Sequence, residues 1–299
     1  MKWISLSILW LACCASMLAA DYETRFQELK KENSPEKIEH LLSEWREKQP
    51  NDPEAWIASA NFYRNQASGV CISTKRPEKN DIVIANQKTG KVEGSLSFTA
   101  DPKLTEMAIG YLEEAVKRFP QRLDIWCGLS YSLQEAGDFD RQFSVIKDCV
   151  AYAKKHPDTL LWLKGQPLSA PAESFVPEKL HGYTSYYMKQ NTSVGDERFL
   201  KIAQFVADNY PKHCYALNDL AAYYDYKHDQ TKVREYLEKA HAADPADVIV
   251  LLNLGDAYLK ANDLKKARVC YQKVVDLKPD AEDIAAAKQA LQEVDKKEK

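Results

Sequence analysis

An all-α chain of paired helices, interrupted once by a β-hairpin, is the fold the sequence predicts, and three observations carry that prediction. Hydrophobic residues make up 45% of the 299, while Gly numbers only 10 and Pro 13, so the chain can bury a sizeable core and has few helix breakers. The C-terminal half repeats itself, and the pattern that starts at Leu217 starts again at Leu251. Residues 81–98, DIVIANQKTGKVEGSLSF, alternate apolar and polar side chains at strand period instead.

Residues 1–20, MKWISLSILWLACCASMLAA, set one Lys before an apolar run that begins at Ile4 and ends in small residues. That is the layout of a secretory signal peptide cleaved after Ala19 or Ala20. The run is short for a membrane span and is broken by Ser and Cys. Cys13, after Leu11-Ala12, offers a lipoprotein signal as the competing reading. The expected location is therefore periplasmic or secreted, with membrane attachment only if Cys13 is lipidated.

Residues 21–50 are expected as N-terminal helices, followed by a helical pair split between 51–68 and 102–120. Trp56, Ser59, Ala60 and Tyr63 share one helical face. The matching second helix comes late, with Ala108, Leu112, Ala115 and Pro120. Tyr63 and Ala108 are 45 apart (108 − 63), where the later repeat has 9 (267 − 258), and the difference is inserted in the turn of one pair. The expected insertion spans 69–101. In it Val92, Gly94, Leu96 and Phe98 alternate with Lys91, Glu93, Ser95 and Ser97, Ile82 and Ile84 lie on the opposing run, and KTGK supplies the turn. An isolated hairpin is marginal in water, so its apolar face (Ile82, Ile84, Val92, Leu96, Phe98) is expected to lie either against the helices as an end cap or against a partner.

Downstream, 121–157 reads as a second helical pair, with Trp126, Leu129, Ser130 and Leu133 on one face. Residues 158–177 read as a long Pro-containing loop and 178–211 as a third pair. Two regular repeats at 212–245 and 246–279 and a capping helix at 280–299 complete the chain.

The two regular repeats carry Leu217, Leu220, Ala221, Tyr224, Val233, Leu237, Ala240, Pro245 and then Leu251, Leu254, Gly255, Tyr258, Ala267, Tyr271, Val274, Pro279. This pattern resembles the tetratricopeptide repeat (TPR). Its small residue lets two helices approach closely, its aromatic fills the notch opposite, and its Pro ends the second helix. Together with TGKVEG and FPQRLDIW, most of 50–280 resembles exported bacterial TPR proteins whose first repeat is interrupted by a β-hairpin, a group with no known shared activity. The resemblance implies a TPR-type helical-pair solenoid and export.

Other function classes find little support. A net charge of −3 and a pI near 6.1 argue against nucleic acid, which needs a basic stripe. No nucleophile-elbow, P-loop, zincin or dinucleotide motif occurs. Asp225 and His228 can share a face but lack further ligands, and His213 and Cys214, being adjacent, diverge on a helix. Cys71, Cys127, Cys149, Cys214 and Cys270 have no zinc spacing, and structural thiols are expected. Neither catalysis nor a metal nor a cofactor is indicated.

First helices of such repeats line a groove. Counting along them from the large apolar residue gives Asn61, Arg64, Tyr131, Gln134, Asn218, Tyr226, Asp256 and Lys260, with Asn253 nearby, as expected partner-binding positions, rich in amides and aromatics. The positions where a carboxylate-clamp repeat needs Lys hold Ile57, Cys127, Asn218 and Leu252. The expected function is an exported scaffold that binds a protein or peptide. Two alternatives stay open: an immunity-type protein that neutralises an exported toxin, and a lipoprotein-tethered envelope assembly factor or non-catalytic enzyme subunit.

Overall fold

The computed structural model describes residues 21–74 and 82–298; the expected signal segment, Cys13 included, lies outside them. Two compact units divide the chain. The first holds residues up to Val145 with Leu161–Pro167, the second Ile146–Leu160 and everything from Leu168 on.

The first unit opens with α1 (residues 21–32) and α2 (Pro35–Lys48). Tyr22 stacks on the fully buried Trp45 with ring centroids 5.7 Å apart. Trp45 Nε1 donates to Asp52 Oδ2 at 2.9 Å. Asp52 also caps α3 (Pro53–Ala67), its Oδ1 accepting from the Glu54 N–H, with Pro at the first helical position where no N–H is needed. α3 pairs with α4 (Pro102–Arg118), and α5 (Leu123–Glu135) follows. Ala60, Ile109, Leu112, Ala115, Leu129 and Leu133 form the core between them. At the start of α5 the guanidinium of Arg122, only 4% exposed, grips Asp124 with two bonds of 2.8 Å and reaches Glu54 on α3 at 3.0 Å.

The insertion between α3 and α4 is a sheet of three strands, which corrects the two-stranded reading. β1 (Ser68–Ser73) leaves α3 directly, β2 (Ile82–Ala85) follows, and β3 (Val92–Ala100) returns to α4, in the antiparallel order β1-β3-β2. Ser68 stands opposite Ala100, and the Asp101 N–H donates to the Ala67 carbonyl at 2.9 Å. The chain thus enters and leaves the sheet at one point, and α3 and α4 close as an ordinary pair. In the β2–β3 turn Asn86 Oδ1 accepts from the N–H groups of Lys88 and Thr89, and Gly90 sits at φ +68°, a conformation open to glycine without strain.

Of the two readings of the insertion's apolar face, the end cap fails, because the described helices do not cover it. Ile82, Ile84 and Val92 are 54%, 38% and 48% exposed, Leu96 is half-buried, and the Phe98 side chain lies outside the described residues. The sheet meets the helices at its base, and among its described side chains Ser95, on the opposite face, is buried.

A second correction concerns 158–177. Leu161–Trp162 (β4) pairs with Gln166–Pro167 (β5) through a turn in which Lys164 and Gly165 have positive φ. Helix α7 (Ala172–Lys189) already starts at 172, with Pro177 inside it. Pro in a helix interior removes one hydrogen bond and costs about 3 kcal/mol. Burial of Phe175, Val176 and Leu180 around it offsets that cost.

In the second unit α8 (Ser193–Asn209), α9 (Cys214–Tyr226), α10 (Gln230–Ala243), α11 (Val248–Lys260), α12 (Leu264–Leu277) and α13 (Ala281–Lys297) follow α7. α6 (Phe139–Lys155) passes from the first unit to the second after Val145. Asp229, Asp247, Asp263 and Asp280 cap α10 to α13 with their side chains. His228 and Asn262, at equivalent places in the two regular repeats, both turn the chain with φ near +60°. Gly255 faces the ring of Tyr271, which is fully buried, so closely that a Cβ there would lie 2.5 Å from Tyr271 Cε1.

Replacing Gly255 with Ala forces the ring aside and should lower stability by about 1–3 kcal/mol. Gly182→Ala on α7, where an added Cβ meets nothing within 4 Å, should raise it by about 0.5–1 kcal/mol. Urea unfolding of the two variants distinguishes close packing from helix propensity. Arg122→Met leaves Asp124 buried and unpaired, and a loss of about 3 kcal/mol in the same measurement is expected.

Candidate functional site

The expected groove residues of the second unit converge. Asn253 Nδ2 donates to Asn218 Oδ1 at 2.9 Å, and Lys260 Nζ donates to Asp225 Oδ1 at 2.9 Å. Both pairs are 35 residues apart, one more than the 34-residue repeat (251 − 217), so each joins a position on α9 to the residue after its equivalent on α11. With Asp256 they line a cavity of about 150 Å³ whose floor includes Ala221, Val233, Leu237 and Ala257, all buried. That volume is below the range for a drug-sized ligand and suits one side chain of a longer ligand.

The polar groups are only partly committed. The Asn218–Asn253 bond uses one oxygen and one nitrogen, which leaves the Asn218 amide NH2 and the Asn253 carbonyl oxygen without a partner among the described residues. One donor beside one acceptor is what a peptide backbone matches. Gln230 Nε2 donates to Asp225 at 2.7 Å, and this bond and then that of Lys260 hold the Asp225 carboxyl below its ordinary value. Asp256 accepts from the Tyr271 hydroxyl at 2.5 Å; burial, then that carboxylate, pushes the phenol up. Tyr226 is not part of this row. Its hydroxyl donates to Asn191 Oδ1 at 3.1 Å, and Lys227 Nζ lies 5.0 Å from its ring centre, so it braces the turn between α7 and α8.

In the first unit Asn61 is exposed on α3. Arg64 lies 5.4 Å from the ring of Tyr131, whose hydroxyl donates to Glu135 at 2.9 Å. Gln134 is a correction: it is 5% exposed and accepts from Gln142 of α6, because its side chain points into the pair. A cavity of about 680 Å³ opens at the base of the sheet, floored by Ala67, Ala108 and Ile109. Arg141 at its rim is neutralised by Glu106 and Glu113 at 2.9 Å and Asp138 at 3.5 Å.

Two polar clusters were not foreseen. His181 Nδ1 lies 2.8 Å from Asp219 Oδ2, which also accepts from the Thr184 hydroxyl at 2.8 Å. Thr184 donates to the carboxylate and not to the imidazole, so the three do not form a nucleophile–base relay. They tie α7 to α9, and partners that far apart in the chain leave no local signal. Cys214, Asp244 and Asp247 bring one ligand atom each within 4.8 Å. Burial, then Asp247, pushes the Cys214 thiol up to about 12, so it is not a thiolate nucleophile. Asp244 and Asp247 each give an oxygen to a backbone N–H. His228 lies in the turn after α9 and Asp225 bonds to Lys260 and Gln230, so that pair assembles no ligand set.

The His181–Asp219 contact makes stability depend on pH. The Asp219 hydrogen bond outweighs burial and raises His181 above its ordinary 6.5. A raised folded-state value means that the stabilisation is full below the ordinary value and disappears as pH rises through the raised one. Burial lowers His213, which acts with the opposite sign. The comparison is therefore wild type against His181→Gln: the stability gap in chemical denaturation should be wide near pH 5.5 and should narrow above pH 7.

Residues 228–291 match the family model described as the tetratricopeptide repeat. No curated protein matches the chain. Among solved structures it is similar to YrrB, described as a TPR protein with an unusual peptide-binding site, at 11% identity, covering 83% of this chain and 97% of that one with a TM-score of 0.39. It is similar to the first TPR of Spaghetti (RPAP3) bound to the HSP90 peptide SRMEEVD at 17% identity, covering 40% and 90% with a TM-score of 0.36. The Sgt2 TPR domain from Aspergillus fumigatus matches at 21% identity, covering 40% and 78% with a TM-score of 0.35. All three TM-scores lie below 0.5. The fold is an all-α, TPR-type solenoid of helical pairs carrying a small inserted sheet.

Proposed function

We propose that the protein is a non-catalytic scaffold that binds an extended peptide segment of a partner protein along α9 and α11, after export from the cytoplasm. The observation that carries this reading is the unmatched donor of Asn218 beside the unmatched acceptor of Asn253, over a cavity sized for one side chain. A backbone lying across the two amides exchanges both bonds, and the Asp225–Lys260 and Asp256 groups flank it with charge. Export rests on the layout of residues 1–20. No helix among the described residues is long and apolar enough to cross a membrane.

Selection of a displayed random-peptide library against the full chain provides the test, with titration of the selected peptides into wild type, Asn218→Ala/Asn253→Ala and Tyr226→Ala. The double variant should bind at least tenfold more weakly, and Tyr226→Ala close to wild type. Equal binding by wild type and the double variant overturns the site. Intact-mass measurement of the mature N-terminus tests export: a chain that starts at Asp21 or Ala20 supports cleavage, and one that retains Met1-Lys2 refutes it.

A further inference from the structure

We propose that the edge strand β2 docks an extended, strand-forming segment of a partner protein, one with apolar residues at alternate positions and an acidic residue at the end that passes the 86–91 turn. In the order β1-β3-β2, β2 has a neighbour on one side only among the described residues. Its residues read Ile-Val-Ile-Ala, and all four side chains are exposed, Ile82 at 54%, Val83 at 50% and Ile84 at 38%. Natural proteins blunt such edges with short strands, bulges, charges, proline or a covering element; β2 is short and irregular between Ile84 and Ala85, but it carries no charge and no proline, and nothing covers it among the described residues. The register sets Ile82 beside Leu96, and Val70 on β1 extends the same apolar face at 58% exposure. A segment added at the free edge completes the unpaired main-chain groups of β2 and sets its alternate side chains beside Ile82 and Ile84.

Two observations select the occupant. A second copy packed face to face needs about 800 Å² from each partner, whereas this face offers only Val70, Ile82, Ile84 and Val92 as exposed large apolar side chains among the described residues. Strand addition draws instead on main-chain hydrogen bonds, which that area does not limit. The second observation is charge. Lys88 and Lys91 are exposed at the turn and make no ion pair among the described residues, while nearby Glu93 already accepts from Asn86 Nδ2 at 2.8 Å. An acidic residue fits there. This surface belongs to the first unit and uses none of the α9–α11 residues, so it stands or falls independently of them.

The experiment uses the full chain and two synthetic fluorescent nonapeptides of identical composition. One alternates Val and Thr and ends in Asp; the other groups its Val residues together. Anisotropy titrations, hydrogen exchange of the β2 amides and sedimentation velocity are the readouts. The alternating peptide should bind at least tenfold tighter than the grouped one, weaken with added salt, and slow exchange in β2. Ile82→Lys/Ile84→Lys should reduce its binding at least tenfold while melting as wild type does, since both sites are exposed. Equal binding of the two peptides, or unchanged exchange in β2 of the wild type with peptide at saturation, overturns the proposal. Self-association lost in the lysine variant, with no peptide bound, also overturns it and assigns the edge to a second copy.

Discussion

The close approach of two antiparallel helices within a pair is the constraint on which the remainder of this structure depends. At Gly255 there is no room for even one carbon between α11 and the Tyr271 ring, and that contact sets how α12 lies on α11. Tyr271 is then placed so that its hydroxyl meets Asp256, which brings a carboxylate to the edge of the α9–α11 cavity. Because the pair closes through its helix faces, the turn that joins the helices is free to vary. Between α11 and α12 it is only Ala261, Asn262 and Asp263, while between α3 and α4 it runs from Ser68 to Asp101. By loop-closure entropy the longer connection costs only about 2 kcal/mol more. The β1–β3 ladder gathers the two ends at Ala67 and Asp101, so α3 and α4 meet as if the turn were short.

Buried polar ties set how one pair follows another. Arg122 is held by Asp124 and Glu54 where α5 meets α3. His181, Thr184 and Asp219 join α7 and α9 in the second unit. An apolar contact at these places would add comparable stability with less directional preference, since a guanidinium fork accepts only a narrow range of carboxylate positions. Exposed pairs such as Lys239–Glu235 on α10 contribute little by comparison.

Two surfaces carry polar groups without partners among the described residues, and they differ in kind. On α9 and α11 these groups are side-chain amides over a small apolar floor, a surface that reads a backbone already extended. On β2 they lie in the main chain of an edge strand, flanked by β-branched side chains, where any added segment would have to be extended. The large cavity at the base of the sheet differs from both, because Arg141 at its rim already faces three carboxylates.

Sequence periodicity alone determined the helical pairs, their boundaries in the two regular repeats, and the place where the turn is interrupted, because each is a local pattern of side-chain size with a fixed spacing. The same counting picked out Asn218, Asp256 and Lys260, with Asn253 as a neighbour, since successive first helices lie side by side. Only the tertiary structure decided what depends on contacts between distant segments. β1 was hidden because it continues from α3 without a turn and finds its partner only on β3, where Ala100 at the far end of the insertion stands opposite Ser68. The start of α7 was hidden because a proline argues locally against helix, and burial around Pro177 outweighed it. Gln134 and Tyr226 share the repeat positions of the groove, yet Gln142 of α6 and Asn191 before α8 draw them elsewhere. Where a side chain's partner lies on another helix, repeat spacing specifies its face, and packing alone specifies its bond.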